Sequence, residues 1–168
     1  MAKQITQLKG MKAVMERLNA EILKIKGRSL EGLIQAVILM RRDMEYTAPS
    51  IPIDTGNLRA SWFVVTVKGI EKGRSPDFKG DDANELRAKH SSFVGEMKAL
   101  ASATKEPVVI MGFSANYAVF VHEMVGATFR QPKKGAARAP TGAKFFEEAL
   151  NRNEKLMLQT IRDYAYIR

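Results

Sequence analysis

The sequence predicts an α+β fold in which a small, mostly antiparallel sheet packs against long N-terminal and C-terminal helices, with a helical insertion. Apolar residues recur every three or four positions at both ends of the chain, as in amphipathic helices. Two short apolar runs, near 61–67 and 107–111, predict strands. A chain of 168 residues with 45% hydrophobic and 27% charged residues suits a single domain with one core.

Two helices are expected before the first strand. The first runs from about Ile5 to Lys24, and Ser29 is expected to cap a second helix from Leu30 to about Tyr46 after a break at residues 26–29. The stripe of the first helix is Ile5, Leu8, Met11, Met15, Leu18 and Ile22, and the inward residues of the second are Leu33, Ile34, Val37, Ile38 and Met44. Pro49 ends the second helix, because residues before proline avoid the helical region.

A turn motif follows, made of Asp54, Thr55, Gly56, Leu58 and Arg59. Asp54 or Thr55 can cap a short helical turn through Arg59, and Gly56 supplies a backbone angle that other residues reach only at a cost. Leu58 would anchor the turn on the core. Residues 61–67 form the clearest strand, which is apolar on both faces and therefore expected to be covered on both. A polar connection occupies residues 69–80.

The second half of the chain predicts a helix, a strand, a loop and a final helix. The helix covers about 81–104, with Leu86, Phe93, Val94, Met97, Leu100 and Ala101 on its apolar side. The strand covers 108–111, and segment 116–124 fits either a short strand or a helical turn. The loop covers 126–141. The final helix runs from about 143 to 164, capped by Thr141, with a buried stripe of Phe146, Ala149, Leu150, Met157, Ile161 and Tyr164.

These elements divide a single domain, 1–168, into six segments. The segments are a basic N-terminal helix or arm (1–28), a helix, turn and first strand (29–80), a helical insertion (81–106), a strand region (107–124), a basic loop (125–141) and a C-terminal helix (142–168).

Composition excludes several classes of protein. The chain has no cysteine, which excludes a disulfide framework or a thiolate metal site. It has no apolar run of about 20 residues and no expected signal peptide, so synthesis in a cytoplasm and no membrane partner are expected. The net charge is +9, and residues 1–28 and 128–144 each carry +5. Two basic segments indicate an acidic partner, either nucleic acid or a neighbouring subunit, or else simply a solvated surface.

The sequence assembles no recognisable catalytic or metal motif. Asp54-Thr55-Gly56 occurs in aspartic proteases, but this chain is too short for the two-lobed enzyme. His122-Glu123 lacks the second histidine of a zinc-binding HExxH helix, since Gly126 stands there. Neither a phosphate-binding loop nor a nucleophile elbow is present. The expectation is a protein without enzymatic activity, cofactor or metal.

Three motifs, in order, carry a resemblance to a known family. The first is Ala48-Pro49 followed by Asp54-Thr55-Gly56-Asn57-Leu58-Arg59-Ala60-Ser61 entering a strand. The second is the segment 116–123, Asn-Tyr-Ala-Val-Phe-Val-His-Glu, and the third is the proline-containing loop that leads into Phe145-Phe146-Glu147-Glu148-Ala149-Leu150. Together they resemble the tail-component, gene-product-ten-like family of tailed bacteriophages, whose members lie at the head–tail joint.

The resemblance implies a structural virion protein of the neck or tail-completion type. It would form a homo-oligomeric ring, with six-fold symmetry favoured and twelve-fold next, that links the portal or adaptor side to tail proteins. Such a ring would continue the DNA conduit and could contact packaged DNA. The implied location is the virion, after assembly in the bacterial host cytoplasm.

The basic loop supplies the candidate contact residues, Arg130, Lys133, Lys134, Arg138 and Lys144. They fit contact with a neighbouring subunit, contact with DNA, or a solvated loop. The alternative function is a free-standing basic nucleic-acid-binding protein. Such a protein would need aromatic side chains that stack on bases, and residues 128–144 contain only Phe129.

Overall fold

The α+β architecture is confirmed in a computed structural model that describes residues 11–70, 76–104 and 106–166, with side chains from Val14 onward except that of Ile70. The helices are α1 (Met11–Tyr46), α2 (Asn57–Ala60), α3 (Ala83–Ala103), α4 (Ala118–Glu123) and α5 (Phe145–Ala165). The strands are β1 (Trp62–Thr66), β2 (Gly69–Ile70) and β3 (Val109–Phe113). No helix within these ranges is long and apolar enough to cross a membrane.

The sheet is antiparallel, in the order β2-β1-β3. Trp62 pairs with Phe113 at one end of the β1–β3 ladder and Thr66 pairs with Val109 at the other. One face of β1 packs Phe63 and Val65 against α3, through Val94 and Ala101, in a small core cluster. Alternation along the strand turns Trp62 to the other face, towards α1 and α5, so both faces of β1 are covered.

The main core lies where α1 and α5 pack against each other and the sheet. Its fully buried side chains include Met40, Met44, Ile51, Phe145 and Ala149. The two helices run antiparallel, since Arg152 reaches Asp43 while Ile161 and Tyr164 lie against Gly32. A Cβ on Gly32 would lie 3.0 Å from the Ile161 Cα and from the Tyr164 Cβ. Glycine is therefore what permits this close crossing of α1 and α5.

The break predicted at residues 26–29 is wrong, because α1 is one helix of 36 residues. Gly27 costs about 1 kcal/mol in a helix interior, but no proline interrupts the segment and the helical pattern continues on both sides. Ser29 is consequently an interior helical residue and caps nothing. Of the first predicted stripe, Ile5 and Leu8 lie outside the described residues, as does the Met11 side chain. Met15, Leu18 and Ile22 are 49%, 52% and 41% exposed.

Several smaller predictions also need correction. The connection after β1 includes the short strand β2. Segment 116–124, for which a short strand and a helical turn were both open, contains the helix α4. Thr141 does not cap α5, because its backbone forms a parallel β-bridge to Ser50. The residue before the helix is Lys144, which has a φ of 58°. The buried face of α5 is centred on Phe145 and Ala149, while Leu150 and Tyr164 are exposed. Ile38, Phe93 and Leu100, which were expected inside, are also exposed.

Candidate functional site

The turn motif adopts the conformation that its sequence favours. Gly56 has a φ of +94° and immediately precedes α2. The N-cap of α2 is Gly56, without a side-chain hydrogen bond, so the predicted cap by Asp54 or Thr55 is wrong. The Asn57 N–H instead donates to the Thr55 hydroxyl oxygen at 3.3 Å, two residues earlier in the turn. The Asn57 side-chain amide also pairs with the Lys79 backbone, at 2.8 and 2.9 Å, which fixes the turn against the segment leading to α3. Leu58 is buried in the main core, as expected.

Arg59 of the same motif leads to a cluster that the sequence analysis missed. The buried Glu45 carboxylate accepts from the Arg59 Nε at 2.7 Å and from the Arg41 Nη2 at 2.6 Å. Its second oxygen accepts from Arg138 of the basic loop. We call these four residues the arginine cluster. One carboxylate thereby joins the end of α1, the turn motif and the basic loop.

The arginine cluster carries more positive charge than Glu45 balances. Arg41 also lies over the Trp62 ring, 5.3 Å from its centroid, and its Nη1 is buried without a hydrogen-bond partner. Burial, together with the charges of Arg59 and Arg138, lowers the pKa of Arg41 to about 10. Burial likewise lowers the pKa of Arg59 and of Arg138. Only the i,i+4 spacing of Arg41 and Glu45 could have signalled the cluster in the sequence.

The structure divides the predicted contact residues into two groups. Arg130, Lys133 and Lys134 are exposed on the basic loop, whereas Arg138 is held by Glu45. Lys144 is also held within the subunit, since its Nζ lies 2.6 Å from Glu123 and 3.0 Å from Glu147. The loop that carries the three exposed cations is closed at its base. There the Gln131 amide exchanges two hydrogen bonds with the Thr141 backbone, at 3.0 and 3.1 Å.

A second charged cluster gathers possible metal ligands around Lys144. His122, Glu123 and Glu147 bring one ligand atom each to within 4.8 Å of one another. The Lys144 ammonium already bridges the two carboxylates, and this contact lowers the pKa of Glu123 and raises the pKa of Lys144. The Glu123 carboxylate also accepts from the His122 Nδ1 at 2.7 Å, while the His122 Nε2 accepts from the Glu147 N–H. The arrangement is an ion-pair network between α4 and α5 in which the Lys144 ammonium balances the carboxylates of Glu123 and Glu147.

A serine and a histidine lie close together on the α3 side of the sheet. The His90 Nδ1 is 2.6 Å from the Ser114 Oγ, and the His90 ring packs edge-on against Phe78. Burial lowers the pKa of His90, which favours the neutral imidazole. Catalytic serines are paired with a histidine that a third group orients. Among the described contacts no carboxylate holds the other nitrogen of His90. We therefore interpret Ser114 and His90 as a half-buried hydrogen-bonded pair.

A cleft of about 700 Å³ lies between the turn motif, the start of α3, and α4 with the segment that follows it. It brings together the turn motif and Arg130, two features that the sequence analysis treated separately. Asp54, Asp82 and Glu85 contribute carboxylates, and Tyr117 and Val121 contribute apolar surface. Burial raises the pKa of Tyr117, with Asp54 as a lesser cause. The remaining lining residues are Pro52, Ile53, Thr55, Gly56, Asn57, Leu58, Leu86, Lys89, Asn116, Thr128, Phe129 and Arg130.

Comparison with known proteins returned no match: no protein family, no curated protein and no solved structure is significantly similar to this chain. The site is therefore defined by its own geometry. That geometry comprises a rigid turn joined to the arginine cluster, an exposed basic loop beside a partly acidic cleft, and exposed apolar side chains on α1 and α4.

Proposed function

We propose that this protein is a structural subunit of a tailed-bacteriophage particle that forms a ring at the head–tail joint. The ring, six-fold in the favoured case, would link the portal side to the tail and continue the DNA conduit. The protein would act mechanically, without enzymatic turnover, cofactor or metal.

One observation carries most of the proposal. Near the start of the described part of α1, the large apolar side chains of Val14, Met15, Leu18, Ile22 and Leu23 are between 41% and 69% exposed. Soluble monomers rarely leave so many large apolar side chains in one contiguous stretch, and such surfaces usually mark protein contacts. A subunit that is completed by its neighbours fits this exposure.

The family resemblance supplies the second support. Its first motif forms a rigid turn that enters β1, its second forms α4, and its third begins α5. All three lie in ordered elements that meet near the cleft and the main core. The exposed Arg130, Lys133 and Lys134 add a positive surface that suits either an acidic neighbouring subunit or DNA in the lumen.

The test is electron microscopy of the purified protein together with mass measurement in solution. The proposal expects closed rings with a central channel wide enough for a DNA duplex. A protein that stays monomeric and binds DNA tightly as a monomer would favour the free-standing nucleic-acid-binding alternative.

Enzymatic activity is tested separately, with peptide, nucleotide and DNA substrates in the presence and absence of divalent metal ions. The proposal expects no turnover. Hydrolysis that is lost in Asp54→Asn, Glu123→Gln or Ser114→Ala would contradict a purely mechanical role.

A further inference from the structure

The arginine cluster holds more positive charge than its own carboxylate balances. Its three arginines all bind Glu45, so three positive charges face one negative charge, a net of +2. Among the described residues, no second carboxylate forms an ion pair with any of the three. Asp43, the neighbouring acid on α1, is bound by Arg152 at 2.5 Å instead. The excess charge is therefore not balanced within the described part of the subunit.

This excess charge lies where water screens it poorly. The side chains of Arg41 and Arg138 are 24% and 20% exposed, and the Arg41 Nη1 is buried without a hydrogen-bond partner. Burial lowers the pKa of all three arginines, and the charges of Arg59 and Arg138 lower the pKa of Arg41 further. Like charges repel one another strongly in a partly buried site, so an added anion would relieve that repulsion.

The fold holds the three guanidinium groups in place. Arg41 lies over the Trp62 ring, 5.3 Å from its centroid. Arg59 belongs to α2, which leads directly into β1. Arg138 is positioned by the loop base, where the Ser50 hydroxyl donates to the carbonyl oxygen of the following residue at 2.8 Å. Donors that are fixed in advance lose less entropy on binding, which favours a specific anion site.

One side of the arginine cluster is open to solvent. The Arg59 side chain is 44% exposed, whereas the Glu45 side chain is only 8% exposed. The contacts with Glu45 use the Arg59 Nε and the Arg138 Nη2, so both arginines retain other nitrogens as donors. An anion that approaches from solvent would therefore meet Arg59 first and Arg138 with it. The buried Arg41 would add its charge without direct contact.

A phosphate group matches this excess charge. Free phosphate carries a charge of about −1.5 to −2 at pH 7, close to the net charge of the cluster. Two successive phosphodiesters of a nucleic-acid strand carry a similar total, with one charge each. Phosphate oxygens also accept the paired hydrogen bonds that a planar guanidinium group donates. A single carboxylate would balance only half of the excess.

We propose that the arginine cluster binds a phosphate group on its open side, between Arg59 and Arg138. The phosphate is either a free ion or part of a nucleic-acid backbone. Two charge-assisted hydrogen bonds correspond to a dissociation constant of about 1 mM for the free ion. The inference does not rest on the proposed function, because a monomer and a ring subunit would bind phosphate equally well.

The main test measures how phosphate changes thermal stability. Sodium phosphate at about ten times its dissociation constant should raise the midpoint of wild-type unfolding by about 3–6 °C relative to sodium chloride of equal ionic strength. Arg59→Gln should lose most of this increase, because it removes the exposed guanidinium group.

The matched control is Arg162→Gln on α5. Arg162 is exposed and has no ion pair among the described contacts, so this variant should keep the full increase. Phosphate also stabilises proteins in general, because it is excluded from their surfaces. The difference between the two variants isolates the contribution of the site.

Glu45→Gln gives a second test, whose sign a purely structural cluster would not produce. Loss of the carboxylate raises the net charge of the cluster from +2 to +3 and releases the nitrogens that Glu45 bound. The affinity for phosphate should rise by about tenfold in calorimetric titrations, although the protein is less stable. A cluster that only supports the fold would bind phosphate no better after the substitution. Circular dichroism checks that the variant folds, and the comparison of Arg59→Gln with Arg162→Gln stands without it.

Displacement identifies the source of the phosphate. A short DNA duplex without terminal phosphates is added to protein saturated with free phosphate. If nucleic acid is the ligand, the duplex should displace phosphate at micromolar concentration, and Arg59→Gln should weaken duplex binding by about tenfold. If the free ion is the ligand, the duplex should leave bound phosphate in place.

Two results would overturn the inference. An equal effect of phosphate on the wild type, Arg59→Gln and Arg162→Gln would show that the stabilisation is general. Displacement by an oligoglutamate peptide that is stronger than displacement by DNA or free phosphate would assign the cluster to the carboxylates of a protein partner. Rings that form normally but do not bind phosphate would contradict this inference alone. A monomer that binds phosphate through Arg59 would support it and contradict the proposed ring.

Discussion

Glu45 electrostatically joins three parts of the chain that are distant in the sequence. Its carboxylate contacts Arg41 of α1, Arg59 of the turn motif and Arg138 of the basic loop. The three guanidinium groups would repel one another without it, and the pKa of Arg41 is already lowered by burial and, to a lesser extent, by that repulsion. The cluster therefore holds the basic loop on the rest of the subunit through the Glu45 carboxylate, and removing that charge should destabilise the fold.

The Glu45→Gln variant tests this role. Replacing the buried carboxylate leaves the partly buried Arg41 and Arg138 without their counter-charge, and breaking one side of a buried pair costs about 3 kcal/mol. We expect the free energy of unfolding to fall by about that amount in urea titrations. Glu16→Gln on the same helix is exposed and should change it by less than about 0.5 kcal/mol. Equal losses in the free energy of unfolding would show that the arginine cluster contributes no more to stability than an exposed acidic residue does.

Gly56 offers a second test at this scale, because its φ of +94° is the only obstacle to a side chain there. A Cβ at Gly56 would meet no atom within 4 Å, so any cost is conformational rather than steric. Gly56→Val should lower the free energy of unfolding by about 2 kcal/mol, whereas Gly56→Asn should cost clearly less, since asparagine tolerates left-handed backbone. Chemical denaturation of both variants measures the difference. Equal losses in Val and Asn would contradict the conformational explanation.

At the scale of elements, the helix pair α1–α5 determines most of what the sequence could and could not predict. Local chemistry predicted the turn motif, β1, α3 and the position of α5, because capping residues, glycine and apolar periodicity act over a few positions. It failed at residues 26–29, where the polar Lys26-Gly27-Arg28-Ser29 looks like a break. The structure continues the helix because packing of Leu30 and Gly32 beyond that point holds it.

The candidate sites show the same division. Thr55 and Gly56 were predictable from turn chemistry, whereas the roles of Arg138 and Lys144 depend on partners far away in the sequence. Glu45 precedes Arg138 by 93 residues and Glu123 precedes Lys144 by 21. Sequence periodicity does not indicate such distant pairs. The five basic residues were therefore grouped together, whereas in the structure three are exposed and two form ion pairs within the subunit.

Gly32 tests the crossing of the two helices. A valine at Gly32 would press against the Ile161 backbone and the Tyr164 Cβ, both 3.0 Å from its own Cβ, and force the helices apart. We expect Gly32→Val to lower the free energy of unfolding by about 1–3 kcal/mol, as overpacking usually does. Gly27→Ala, in open space on the same helix, should instead raise it by about 0.5–1 kcal/mol. Thermal and urea unfolding of the two variants compare them directly. A harmless Gly32→Val would mean that α5 does not cross α1 so closely.

At the scale of the whole molecule, charge is distributed unevenly along the chain. By sequence, residues 1–28 and 128–144 each carry +5, while segment 77–85 and Asp54 form a negative region beside the cleft that Arg130 also lines. Exposed charge pairs contribute only about 0–1 kcal/mol each, so no single residue should dominate association. In the proposed ring, the sum of these pairs over the repeated contacts would be large enough to influence assembly.

The exposed part of the basic loop tests that expectation. Arg130→Ala, Lys133→Ala and Lys134→Ala together should weaken assembly, and Arg138 is retained because it holds Glu45. Wild-type assembly should weaken as salt rises from about 50 to 500 mM, since screening shortens to less than 10 Å over that range, and the triple variant should be less sensitive. Light scattering across the salt series measures both. The control removes three exposed charges elsewhere, at Lys98, Arg162 and Lys155. Identical salt curves for wild type and triple variant would identify the loop as solvated surface.

The pairing of α1 with α5 also bears on how the chain is made. Met40 and Met44 of the main core are covered by Phe145 and Ala149, which the ribosome adds about a hundred residues later. At roughly 5–20 residues per second, the apolar face of α1 would wait several seconds for its partner, exposed to any other nascent chain nearby. Completion of the core must therefore follow release of the C-terminal helix from the exit tunnel. Synthesis thereby sets the earliest moment at which an assembly-competent subunit exists.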